Sequence, residues 1–313
     1  MSSSHLLVGA SAQPVRLEIR RITPTDVLQA LARGLDDFAA MPSHAVFLCV
    51  IYPLIGLWLI SLVSGYSLLP LAFPIAAGFA LIGPFAAIGL YELSRRREAG
   101  LDTSSGHAFD VLRSPSIGAI VAMGLLLTAI FLVWLAVADA IYVANFGYNS
   151  PASISQFVTD VFTTRPGWTL IVVGTGVGFL FAVLVLTISA ISFPLLRDRD
   201  VGAAVALFTS IRVVVANPVS MALWGLIVAV LLVAGSLPFF LGLTVVMPVL
   251  GHATWHLYRK AVVPDSAPRP DYQQQDYHPR SGRDAMRRIF RLRSFRRDAR
   301  ADKFSPHPAL TPG

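Results

Sequence analysis

Six long apolar runs, at about 44–64, 68–91, 117–138, 168–191, 219–235 and 238–258, dominate the pattern of hydrophobic and polar positions. Each is close to the roughly 20 apolar residues that an α-helix needs to cross a bilayer, the fifth being the shortest. The pattern therefore predicts an all-α polytopic membrane bundle of six transmembrane helices. The first two runs are joined by Ser64-Gly65-Tyr66-Ser67, which carries no charge and reads as a tight hairpin. The second contains Pro70, Pro74 and Pro84 with Gly78, Gly83 and Gly89, so a kinked helix packed inside the bundle is expected. In the fourth, Gly174, Gly176 and Gly178 would permit close helix approach.

Between these runs the periodicity changes to that of amphipathic helices. Thr25 and Asp26 open one of them, with Val27, Leu28, Leu31, Leu35 and Phe38 on its apolar side and Gln29, Arg33, Asp36 and Asp37 opposite. A second is expected from Ser104 or Ser105 through Phe109, Val111 and Leu112. A third is opened by Arg197-Asp198-Arg199-Asp200, with Val201, Val205, Phe208, Ile211 and Val215 as its apolar side. Each stops at a proline (Pro42, Pro115 and Pro218) and leads into an apolar hairpin. This threefold recurrence is one of pattern, not of residue identity. The longest loop, Ala140 to Gly167, holds a further helical pattern from Ser155 to Phe162.

Charge then orients the bundle. Net charge is +7, and every Lys and Arg except Arg165 lies before the first run, between the second and third, between the fourth and fifth, or after the sixth. By the positive-inside rule both termini face the cytoplasm, as an even number of spans also requires. Mean hydropathy is +0.64, with 14% charged residues against roughly 25% in soluble domains. The basic balance thus fits lipid headgroups and not nucleic acid. Cys49 is the single cysteine, so no disulfide forms within the chain. Met1 to Ala12 lacks a basic n-region, and the first membrane helix is expected to act as targeting signal. The chain divides into a disordered N-terminus (1–22), a membrane domain (23–263) and a basic tail (264–313). In that tail Met286, Ile289, Phe290, Leu292 and Phe295 are interleaved with arginines, as either a segment lying on anionic lipid or a disordered basic tail would have them.

Candidate chemistry is sparse. His252 and His256 share one helical face, as metal or haem ligation would need. His44 and Glu92 are expected at similar depth, making four candidate metal ligands. The plainer account treats the histidines as residues of the last helical turns, beside Trp255 and Tyr258 in the headgroup layer. Asp139, at the end of the third run, reads as a solvated boundary residue. There is no P-loop, GxSxG, HExxH or CxxC motif, and Gly174-Thr175-Gly176-Val177-Gly178 lies in an apolar run without a lysine. No catalytic residue and no cofactor is expected.

Three stretches, LIGPFAAIGLYELSRRREAG, FPLLRDRDVGAAVALFTSIRVVVANP and GHATWHLYRKAV, resemble a bacterial family of predicted integral membrane proteins, domain of unknown function 2189. The similarity is expected to extend over Thr25 to Val263. It implies an inner-membrane location and assigns no activity or site residue. The leading expectation is a non-enzymatic membrane protein in envelope organisation or in association with other membrane proteins. One alternative is a transporter or channel for a small or lipid-like solute; the other is a metal- or haem-binding protein using His252 and His256.

Overall fold

The computed structural model describes residues 17–42, 83–148, 151–238 and 240–264, together with residues 50, 54, 56, 61, 69–72 and 74–76. The expectations for His44, Cys49, most of the first two runs and the C-terminal tail lie outside these residues. The described residues fold as helices, apart from an isolated antiparallel bridge between Ile19 and Val262.

The first helix, α1 (Pro24–Ala40), is capped by Thr23 and not by Thr25. Pro24 occupies the first turn, where its missing N–H costs nothing. The Thr23 hydroxyl accepts from the Asp26 amide at 3.3 Å, while an Asp26 carboxylate oxygen accepts from the Thr23 amide at 2.9 Å. The two groups satisfy one another's otherwise orphaned donors.

Which side of α1 is buried differs from the expectation. Val27, Ala30, Gly34 and Asp37 are buried, whereas Leu28 and Leu35 are about half exposed, at 53% and 49%. The partner is α10 (Leu243–Ala261), and small residues face it. A Cβ placed on Gly34 would lie 2.6 Å from the Ala253 nitrogen. Two backbones can come this close only where a side chain is missing, so Gly34→Val is expected to cost about 1–3 kcal/mol through overpacking. Thermal melts of the purified protein should show this loss and no comparable one for Ala39→Val on the exposed side. An equal effect at both positions would mean that α1 is not seated on Ala253.

Ahead of α1 the chain runs beside the end of α10. The Arg20 amide donates to the Ala261 carbonyl at 2.8 Å, and the Val263 amide to that of Glu18 at 3.0 Å. Asn217 completes the join: its Oδ1 accepts from the Ile22 amide at 2.7 Å and its Nδ2 donates to the Arg20 carbonyl at 3.2 Å.

Two helices follow the partly described region: α2 (Gly83–Ala86) and α3 (Ile88–Glu98). Of the charged stretch that follows the second apolar run, Glu92, Ser94, Arg95 and Arg96 are buried, and the chain is exposed only from Arg97. A 3₁₀ helix (Ser105–Arg113) packs against α3, and Ser104 takes its N-cap position without a side-chain capping bond, its hydroxyl donating to Asp102 at 3.1 Å.

Then come α4 (Ile117–Phe146), the short α5 (Ile154–Thr163), capped by Ser153, and α6 (Arg165–Ser189), capped by Thr164. After one irregular link α6 is followed by α7 (Ser192–Asp198). Next are α8 (Ala203–Ala216) and α9 (Pro218–Ser236). Arg197-Asp198-Arg199-Asp200 therefore closes α7 and does not open α8. In α8, as in α1, the small and polar residues Ala203, Ala206, Thr209 and Ser210 are buried, and Phe208 and Val215 point outward.

Among the described residues, three helical stretches are long and apolar enough to cross a membrane: α4, α6 with α7, and α9. They coincide with the third, fourth and fifth apolar runs, although α4 continues two turns past the expected end, through an exposed Asp139. The last run is helical only from Leu243, and α10 is not one of the three. Where α4 and α6 meet, Gly178 lies under the Trp134 ring; a Cβ there would be 3.0 Å away. Gly174 and Gly176 face open space, so only one of the three glycines serves close approach.

Candidate functional site

One end of the bundle holds a buried ionic cluster in two parts, drawn from α1, α3, α7 and α10. The first part centres on Asp37, on the inner side of α1. Its Oδ2 accepts from the Ser94 hydroxyl of α3 at 2.6 Å and lies 2.9 Å from His256 Nε2 of α10. Its Oδ1 is paired with Arg97. Ser94 Oγ is also 2.7 Å from His252 Nδ1. A serine has one proton to donate. If it goes to the Asp37 carboxylate, His252 Nδ1 must carry its own proton and donate to Ser94. The remaining ring nitrogen, His252 Nε2, is buried without a hydrogen-bond partner.

Burial by itself would raise the Asp37 carboxyl, but hydrogen bonds from His256, Ser94 and Arg97 outweigh it and hold the group down at about 2. The carboxylate is thus charged across the physiological range, and it bonds to two other helices at once.

The second part centres on Glu92, which is fully buried. Arg95, one turn on, reaches it with two parallel bonds of 2.7 Å, and Arg197 of α7 reaches it at 2.7 Å. Such forked guanidinium–carboxylate pairs are among the stronger hydrogen bonds in proteins. Beside them the Tyr258 hydroxyl donates to Asp198 at 2.7 Å. Trp255 Nε1 donates to Glu98 at 3.0 Å, and Arg259 reaches the same carboxylate at 3.1 Å. At the rim Lys260 bridges Asp26 at 2.9 Å.

Of the four candidate metal ligands, the structure brings His256 onto Asp37 and His252 onto Ser94, which itself bonds Asp37. Glu92 is engaged by arginines, and His44 is outside the described residues. Among the described residues no group of three or more His, Cys, Asp or Glu is arranged to hold a metal ion. Asp37, Ser94, Arg97, Arg197 and Asp198 are not among the candidate residues of the sequence and join the site only through the fold. One signal was available for Asp37: it continues the Val27, Ala30, Gly34 series at helical spacing, a stripe of small residues that ends in a charge.

Comparison with curated proteins and with solved structures gives no match. A family model described as predicted integral membrane protein (DUF2189) matches residues 72–198, which run from the second apolar run to the end of α7. The match takes in Glu92, Ser94, Arg95 and Arg197 of the cluster and leaves out α1 and α10, so it is shorter than the expected Thr25 to Val263. Over residues 72–198 the chain thus matches the family of predicted integral membrane proteins DUF2189, and with three helices long and apolar enough to span a bilayer it is an integral membrane protein.

Proposed function

We propose that this is a six-span, non-enzymatic protein of a bacterial inner membrane, with both termini cytoplasmic, that acts in envelope organisation by associating with other membrane components. The observation that carries this reading is the cluster itself. Asp37, Glu92 and Asp198 are each bonded to groups from other helices, so the polar interior serves to fix α1, α3, α7 and α10 against one another. A rigid end of this kind suits a platform. The apolar first half of α10 completes the sixth span, and the two runs near residues 44–64 and 68–91 supply the first and second. Leu28 and Leu35 of α1, Phe109 and Leu112 of the 3₁₀ helix, and Phe208 and Val215 of α8 are exposed close to span ends, where the headgroup layer would receive them. The arginine-rich tail would lie on anionic lipid.

Cysteine labelling tests the topology. In a Cys49→Ser background, an impermeant maleimide applied to intact spheroplasts should label Ser155→Cys, and should label Asp36→Cys and Ser104→Cys only after lysis. Labelling of Asp36→Cys from outside would overturn the orientation. For the role, proteoliposomes should be no leakier to small solutes than protein-free vesicles. Saturable flux would replace this reading with a carrier. Stoichiometric metal in the purified protein, lost in His252→Ala, would replace it with a metal site.

A further inference from the structure

The helix α5 lies at the end of α4 and α6 far from the ionic cluster, and no residue of it is buried. Five successive positions around its wheel are apolar: Phe157, Val161, Ile154, Val158 and Phe162. The opposite half is Ser155, Thr159, Thr163, Gln156 and Asp160. One edge of the apolar half is used inside the chain, since the Phe157 ring lies 6.3 Å from that of Tyr142 on α4. Of the other four, Val161 is half-buried, and Ile154, Val158 and Phe162 are 46%, 47% and 60% exposed. A ten-residue helix is too short to be stable alone and needs a partner for its apolar side.

One contact and one exposed aromatic mark where α5 meets α6. A Cβ on Gly167 would be 2.3 Å from the Val161 carbonyl oxygen, so the first turn of α6 presses against the α5 backbone. One residue further on, Trp168 is exposed on α6 at the point where an interfacial aromatic is expected. Further along α6, Val172 and Val173 are exposed as well, and in an integral membrane protein such surface faces lipid.

We infer that α5 lies in the headgroup–acyl boundary of the bilayer, with Ile154, Val158 and Phe162 directed to the acyl chains and Thr159 and Thr163 to water. It acts as a lipid-contact helix that holds the α4–α6 hairpin at fixed depth. The inference rests on the chain being an integral membrane protein and is independent of which side of the membrane α5 occupies.

The test uses the full chain in phosphatidylethanolamine–phosphatidylglycerol vesicles, with Cys49→Ser and either Val158→Cys or Thr159→Cys carrying an environment-sensitive fluorophore. Brominated lipid should quench the label at position 158 at least about twofold more than the label at 159, and aqueous iodide should do the reverse. Equal iodide quenching at both positions would overturn the inference by placing the stripe in water. Protection of the position-158 label from both quenchers would also overturn it, because the cover would then be protein, from a partner or a second copy. Both substitutions are on exposed positions and leave the Phe157 and Gly167 contacts in place, and circular dichroism on the labelled proteins checks that the helices persist.

Discussion

Replacing Glu92 with glutamine is expected to lower the melting temperature of the purified protein by about 10 °C. The side chain keeps its shape, so packing changes little. What is lost is the negative charge among three buried guanidiniums, Arg95, Arg96 and Arg197, each only 3% exposed. Removing one partner of a buried ion pair costs about 3–5 kcal/mol, because the remaining charge stays out of water without compensation. For a domain of this size each kcal/mol corresponds to a few degrees. Lys260→Gln is the contrast: its Asp26 partner is at the rim, and pairs exposed to water contribute about 0–1 kcal/mol. A thermal melt of both variants decides it. Equal, small shifts would mean that Glu92 is hydrated and the cluster is open.

Asp37→Ala is expected to cost nearly as much, about 3 kcal/mol, by stripping the acceptor from Ser94, His256 and Arg97 together. It should also change the pH dependence. The Asp37 carboxyl is held at about 2 in the folded protein against 3.8 for an ordinary aspartate. Its folded value lies below its unfolded value, so its contribution is whole above about pH 4 and is lost as pH falls toward 2. Melts of the parent and of Asp37→Ala should therefore differ by a constant amount just above pH 4, and should converge as the pH is lowered further. A difference that stayed constant into that acid range would show that the carboxylate is not stabilised by its partners.

The spans and the cluster differ in how far local sequence reveals them. A helix that crosses a bilayer must be apolar on all sides over a length set by the membrane, and that requirement is written along the chain itself. The runs at 117–138, 168–191 and 219–235 accordingly became α4, α6 and α9. The inner sides of α1 and α8 differ from the expected ones for a related reason. In water the largest apolar residues mark the buried side, but beside a bilayer lipid accepts them equally well, and protein contact selects small residues that let backbones approach. Leu28 and Phe208 therefore face outward, while Gly34 and Ala206 face in.

The charges were harder to place. Glu92, Arg95, Arg96 and Arg97 read naturally as residues that end a span, since acidic and basic residues near a membrane usually meet water. Glu92, Arg95 and Arg96 are nevertheless buried, Glu92 against Arg197 about a hundred residues on, while the exposed Arg97 pairs with Asp37 sixty residues earlier. No local pattern encodes that pairing.

By itself the sequence determined the membrane class, the three apolar helices and the spacing that sets His252 and His256 on one side of α10. Only the tertiary structure decided that Asp37 and Ser94 are their partners, that Arg197 reaches Glu92, and that small residues line the inner sides of α1 and α8. Hydropathy is a property summed along one helix. An ion pair or a close backbone contact needs two chain segments, and exists only once the fold has brought them together.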